Sequence, residues 1–491
     1  MRDSVEQNGL SWEEEGLDLL PVWELEPDVS LITSLAKQHL ETQAKGGKVT
    51  VTYLTSGSFN KIYDVRLEDE EFARYVFRVA LPVDPIYKTE SEIATLHFVK
   101  TQTTIPVASV VAYDSSTKNS IGFEWILMEK LPGARLVDCW SRMSFEAKES
   151  LTKDLAGMVM SLQTCRFDRI GSLYYGPSTE VASNEDELST TIQAPVTSGA
   201  DIAPQTRRGE YVVGRLVERN FFRGKRVFLE VDRGPYESCQ SFIEASVDME
   251  ISNLVHLSDP SIREDLTALD ETIKENLEFS FDREEDTSGN VSRAIDMCRQ
   301  LREQAHKTFG HGTTHSKELL SPEQEEIQPD VCNTDKPYVL MHVDLSAKNT
   351  LVDPETFKIT GIIDWEFAAT QPLWKAVVYP YCIDDQECEL EDLQGCDEDM
   401  LKERTEYYEL TQLRKLYNRA FLRAGIPTPE SMNRSLECRR MRQFLDALSD
   451  VEENGHKPLE HFLSNSDEYW VTRERFDTGL YVSSWPEEGA S

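Results

Sequence analysis

The chain has 491 residues, 39% hydrophobic and 28% charged, enough to bury a core in two or more lobes and unlike the composition of a disordered chain. Its formal net charge of −37 argues against nucleic acid or an anionic membrane as a partner, since both demand a basic surface, and leaves room for an attraction to cationic small molecules. No window approaches about eighteen uncharged apolar residues, nine cysteines follow no regular framework, and the acidic N-terminus lacks an apolar core, so no transmembrane helix is expected and the cytosol is the expected compartment.

Residues 1–45 read as an acidic extension with an amphipathic helix over 28–45 (Val29, Ile32, Leu35, Ala36, Leu40), broken by Gly46-Gly47. Alternation and β-branched or aromatic enrichment predict strands at 48–54, 61–67 and 74–81. In the turn TSGSFN, the small residues Ser56, Gly57 and Ser58 would let backbone N–H groups approach phosphate oxygens; taken alone, an ordinary hairpin turn is the better reading. A helix over 88–100 puts Glu92, Leu96 and Val99 on one stripe. An inward carboxylate there needs a cation, and Arg78 is the available one. Glu90 is the competing carboxylate, and a solvent-facing Arg78 is the plainer alternative.

Further strands are expected at 107–113 and 122–129, the second running into Lys130-Leu131-Pro132-Gly133. Beyond it the pattern is mainly helical, with helices over 144–162 (Ser144 as N-cap), 241–257, 291–307, 401–423 and 430–454. Two polar, aperiodic inserts lie near 176–210 and 308–336; the second holds His311, His315 and Cys332, too sparse a set for a zinc site. Asp384 to Asp399 carries nine acidic residues, read as a solvated face or loop.

The stretch with the most chemical content is Tyr338 to Ala368. A short apolar run delivers His342, Asp344 and Asn349 onto a loop, and a second run ends on Asp364. Phosphoryl transfer needs a carboxylate to take the acceptor hydroxyl's proton and hard oxygen ligands for Mg²⁺ on the nucleotide phosphates. Asp344 suits the first role, Asn349 and Asp364 the second, in the pattern H-x-D-L-x-x-x-N followed by a strand-end Asp. A β-hairpin turning at Asp353-Pro354 with merely decorative polar residues is the competing reading.

HVDLSAKNTLVD and GIIDWEFA resemble the aminoglycoside phosphotransferase and choline-kinase-like superfamily, whose members share the protein-kinase fold, especially its branch in filamentous fungi. Segments 56–65, 75–82, 89–99, 121–133 and 170–173 resemble the same family in order, so the likeness covers most of 49–421. It implies an α+β, two-lobed fold: a small antiparallel sheet with one helix, and a larger, mostly helical lobe. The expected division is an extension at 1–45, a nucleotide-binding N-lobe at 46–132, a catalytic C-lobe at 133–480 and a tail at 481–491. The resemblance also implies that Ser56–Ser58 cover phosphates, that Arg78 stands where kinases carry a lysine and pairs with Glu92, and that Met128, Glu129 and Leu131 contact the nucleotide base. His342 would position the loop. The implied co-substrate is ATP or GTP with Mg²⁺, and the implied acceptor is a small-molecule hydroxyl; acidic residues such as those of 384–399 seat amino groups in related drug-modifying kinases, which makes a cationic acceptor one possibility. Two other readings stay open: an inactive nucleotide-binding module acting through a protein partner, and a protein kinase, disfavoured because no Ala-Pro-Glu signature follows Asp364.

Overall fold

The computed structural model describes residues 7–15, 18–41, 47–68, 74–176, 211–258, 293–303, 337–434, 442–445 and 448. The sequence expectations for most of the two inserts, including His311, His315 and Cys332, and for the tail fall outside the described residues.

The N-lobe is built on five strands, β3 (Val49–Ser56), β4 (Asn60–Leu67), β5 (Tyr75–Ala80), β6 (Val110–Asp114) and β7 (Glu124–Glu129), antiparallel in the order β3-β4-β5-β7-β6. Their alternation divides the residues between two faces. Val49, Val51, Tyr63, Val65, Phe77, Val79, Trp125 and Leu127 form one buried face, packed against Ile32, Ala36 and Leu40 of the N-terminal segment. The registers Thr52↔Asp64, Asp64↔Val76 and Ile62↔Arg78 put these residues on the other face, toward the C-lobe. Helix α2 (Tyr87–Gln102) crosses that side.

The N-terminal segment differs from the expected single helix. A hairpin, β1 (Leu10–Glu15) with β2 (Asp18–Trp23), precedes α1 (Val29–His39). Asp28 caps α1 by accepting from the Ser30 amide at 2.7 Å, and Leu40 is the C-cap of α1; most of the expected remainder up to 45 lies outside the described residues. The expected start of β6 at 107 also moves, because Pro106 O accepts the Ile362 amide at 2.9 Å and ties that segment to the C-lobe instead.

In the C-lobe, α3 (Phe145–Thr164), N-capped by Ser144, packs against α5 (Glu398–Arg423) through Ala156, Leu413, Tyr417 and Phe421; α4 spans Cys239–Ser258. Two small sheets hold the segment 338–372. Strand β8 (Tyr338–Met341) pairs with β11 (Ala369–Pro372), and β9 (Thr350–Val352) pairs with β10 (Ile359–Ile362). A kinase-like α+β fold with an antiparallel N-lobe sheet and a helical C-lobe results. No described helix is long and apolar enough to cross a membrane.

Candidate active site

Arg78 and Glu92 form a buried fork. Nη1 donates to Oε1 at 2.6 Å and Nη2 donates to Oε2, with the residues 6% and 2% exposed. Burial opposes the guanidinium charge, but Glu92, with help from Glu366 and Asp364, raises the Arg78 pKa above its ordinary value. Glu90 is engaged elsewhere, accepting from Ser115 Oγ at 2.7 Å.

The candidate residues around His342, Asn349 and Asp364 converge from two sheets. His342 is buried edge-on to Trp365, with ring centroids 4.6 Å apart. Its Nδ1 accepts from the Asp344 amide at 3.2 Å, so Nε2 carries the proton and donates to Ile363 O at 3.0 Å. Burial lowers the His342 pKa. This neutral ring fixes the turn and has no nitrogen left to act as a base. Asp344 is exposed, and Asn349 Nδ2 donates to its Oδ2 at 2.8 Å and to its carbonyl at 3.1 Å. The Ile363 amide donates to Asn349 O at 3.0 Å, which ties Asn349 to the strand end carrying Asp364. Asp364 has φ 66 and Phe367 φ 65, left-handed conformations that L-residues rarely adopt and that concentrate at functional sites. Burial and the nearby Glu366 and Glu92 raise the Asp364 pKa well above the ordinary carboxylate range.

At the far end of the cleft, Thr50, Thr52, Asp64, Lys130, Leu131 and Gly133 border a cavity of about 870 Å³, within the usual size of a ligand pocket. It lies on the Arg78 face of the sheet. The Glu129 amide donates to Ser109 O at 2.9 Å and the Lys130 amide to Arg74 O at 2.8 Å, so neither N–H is open to a base. Gly133 is required here: its φ is 113, and a Cβ would stand 2.6 Å from Val352 O. At the phosphate-loop position Ser56, Gly57 and Ser58 are exposed, and the Gly57 amide donates to Asn60 O at 2.9 Å.

A model of the phosphotransferase enzyme family matches residues 269–379, the stretch that includes His342, Asp344, Asn349 and Asp364. A subtelomeric hrmA-associated cluster protein of Aspergillus fumigatus is 27% identical over 352 residues, 68% of this chain and 61% of that protein. An altered inheritance of mitochondria protein 9 of Debaryomyces hansenii is 23% identical over 334 residues, 66% of this chain and 48% of that protein. The chain thus spans about half to three fifths of the length of these curated relatives. A crystal structure of an aminoglycoside phosphotransferase APH(4)-Ia mutant, in ternary complex with ADP and hygromycin B, aligns over 91% of this chain and 97% of that chain at 14% identity and a TM-score of 0.37.

Within this matched segment the residues present fit a dication. Asn349 turns its Nδ2 to Asp344, which leaves Oδ1 for a hard cation, and Asp364 sits among carboxylates. Two protein oxygens suffice for Mg²⁺ when phosphates supply other ligands. Among the described residues no group of three or more His, Cys, Asp or Glu side chains could hold a metal.

Sequence reasoning missed a second buried ion pair. Lys88 Nζ lies 2.8 Å from Glu366 Oε2, and Asn60 Nδ2 donates to the same oxygen at 2.8 Å. Burial opposes the Glu366 charge, but Lys88 and Arg78 hold its pKa below the ordinary value. The available signal was the spacing of Lys88 and Glu92, four residues apart and so on one helical stripe.

Proposed function

We propose that the protein is a phosphotransferase that moves the γ-phosphoryl group of a nucleoside triphosphate to a hydroxyl of a small molecule. The observation that carries this reading is the exposed Asp344 carboxylate, anchored by Asn349 beside the Asp364 loop. Asp344 accepts the hydroxyl's hydrogen bond and then its proton as the new P–O bond forms and the bond to the nucleoside diphosphate breaks. Asn349 and Asp364 would hold Mg²⁺, which when bound neutralises charge on the phosphates. Arg78, steered by Glu92, faces the same cleft and supplies fixed positive charge toward the nucleotide. The base would lie in the cavity beside Leu131, with Met128 on the same sheet face as Val76. A cationic acceptor is in keeping with 88 acidic against 51 basic residues.

A screen of amines, sugars and amino alcohols for nucleotide-dependent phosphorylation, read by mass spectrometry, tests the reading. With an acceptor in hand, Asp344→Ala should lower turnover about a hundred- to ten-thousand-fold while the protein stays folded. Unchanged turnover removes Asp344 from the mechanism.

The Arg78–Glu92 fork also favours a second reading. Both terminal nitrogens of Arg78 are already engaged by Glu92, which weakens the case for strong phosphate contact and suits a nucleotide-binding module that acts through a protein partner. Nucleotide binding in calorimetry without turnover in any acceptor or hydrolysis assay selects it.

A further inference from the structure

We propose that Asn60, Lys88 and Glu366 are positioning residues that latch the phosphate-covering turn to the loop presenting Asp364. The inference rests on the nucleotide-binding part of the proposed function. It adds a hydrogen-bonded connection between the two loops through side chains other than Arg78 and Glu92.

The three side chains come from three elements and meet away from water. Asn60 opens β4 immediately after the turn, Lys88 lies in the first turn of α2, and Glu366 follows Asp364 by two residues. Their exposures are 7%, 2% and 6%. Glu366 Oε2 lies 2.8 Å from both Lys88 Nζ and Asn60 Nδ2, and Lys88 Nζ donates back to Asn60 Oδ1 at 3.2 Å, closing a triangle. The left-handed residues Asp364 and Phe367 bracket Trp365-Glu366. An aromatic cluster runs alongside: Phe59 of the turn meets Phe367 edge-on with centroids 5.2 Å apart, and Phe367 stacks on Phe222 of the C-lobe at 5.3 Å.

Stability alone does not account for such a set. A buried ion pair loses hydration that its attraction barely restores, and apolar residues of similar volume often serve stability as well or better. Hydrogen bonds differ from apolar contacts in fixing direction. The direction fixed here runs from the root of the phosphate-covering turn to the loop of a metal-ligand candidate. The latch therefore couples nucleotide phosphates, held by the turn, to the cation held at Asp364.

The test is calorimetry of ADP and of a non-hydrolysable ATP analogue, with and without Mg²⁺. The triple variant Asn60→Leu/Lys88→Met/Glu366→Met replaces the whole polar set by apolar side chains and should keep its melting temperature within a few degrees or raise it. Its gain in nucleotide affinity on adding Mg²⁺ should fall about tenfold relative to the native protein, a typical coupling between sites. Asn60→Ala, which leaves the Lys88–Glu366 pair in place, should reduce the same gain in the same direction and remains informative if the triple variant does not fold. A native-sized Mg²⁺ gain in the folded triple variant, or in Asn60→Ala if the triple variant does not fold, overturns the latch. Absence of nucleotide binding in the native protein overturns the proposed function instead, so the two failures are distinguishable.

Discussion

Glu124, at the start of β7, is 2% exposed and accepts the Ile86 amide at 2.7 Å, holding Ile86 at φ 70. Burial pushes its pKa up to about 7, against the partial relief of the Ile86 amide hydrogen bond and the charge of Lys88, with Asp84 adding to the rise. A carboxyl that binds its proton more tightly when folded makes stability fall as pH rises from about 4.5, the ordinary value for such a group, through about 7, and leaves it level above. Glu124→Gln should therefore flatten the melting-temperature profile between pH 5 and 7.5 and gain up to roughly 3 kcal/mol at the alkaline end. Thermal unfolding of both proteins across that range checks it; parallel profiles count against the assignment. At this scale the sequence was legible where chemistry imposes a spacing. Asp344, Asn349 and Asp364 are recognisable because five residues and a strand end separate them. Glu124 and Lys88 were not, since a charged residue becomes exceptional only once its neighbours have excluded water.

Among the elements, α1 illustrates how packing changes the meaning of a correctly recognised pattern. The apolar stripe Ile32, Ala36 and Leu40 was visible at helical spacing, but its destination was not. All three are fully buried against the N-lobe sheet, so the stripe is part of that lobe's core. Ile32→Ala should cost about 2–5 kcal/mol, the range for emptying a packed site. Urea unfolding measures it, and a loss below about 1 kcal/mol would mean the helix packs loosely. The hairpin of β1 and β2 went unrecognised because LSWEEE and DLLPVW lack clean alternation; partners across the sheet, not propensity, make them strands.

The whole molecule is joined at both ends of the cleft. Beyond the Tyr75↔Glu129 end of the N-lobe sheet, Thr360 Oγ1 of the C-lobe donates to Pro132 O at 2.6 Å, and the pair Ala80↔Glu124 marks the other end. Just past that second end, Leu81 and Val83 pack with Leu10 of the hairpin and with Tyr174, Val217, Phe222 and Val227 of the C-lobe. Arg215 Nη2 lies 2.8 Å from Oδ1 of Asp84, which is 2% exposed, and its guanidinium covers the Tyr87 ring at 4.0 Å. Arg215→Met should cost about 3–5 kcal/mol by removing a charge partner from a buried carboxylate. Combining it with Asp84→Asn should lose less than the two single losses added together; simple additivity in denaturant unfolding would deny the pair its role. The sequence by itself determined the kind of fold and the chemistry-bearing loop, because strand periodicity, turn residues and the catalytic spacing act over short stretches of chain. Only the tertiary structure decided which charges lost their water, that the N-terminal segment completes the N-lobe core, and that the lobes meet at both ends of the sheet. Those outcomes depend on surfaces brought together from distant parts of the chain, and burial is a property of the assembled surfaces.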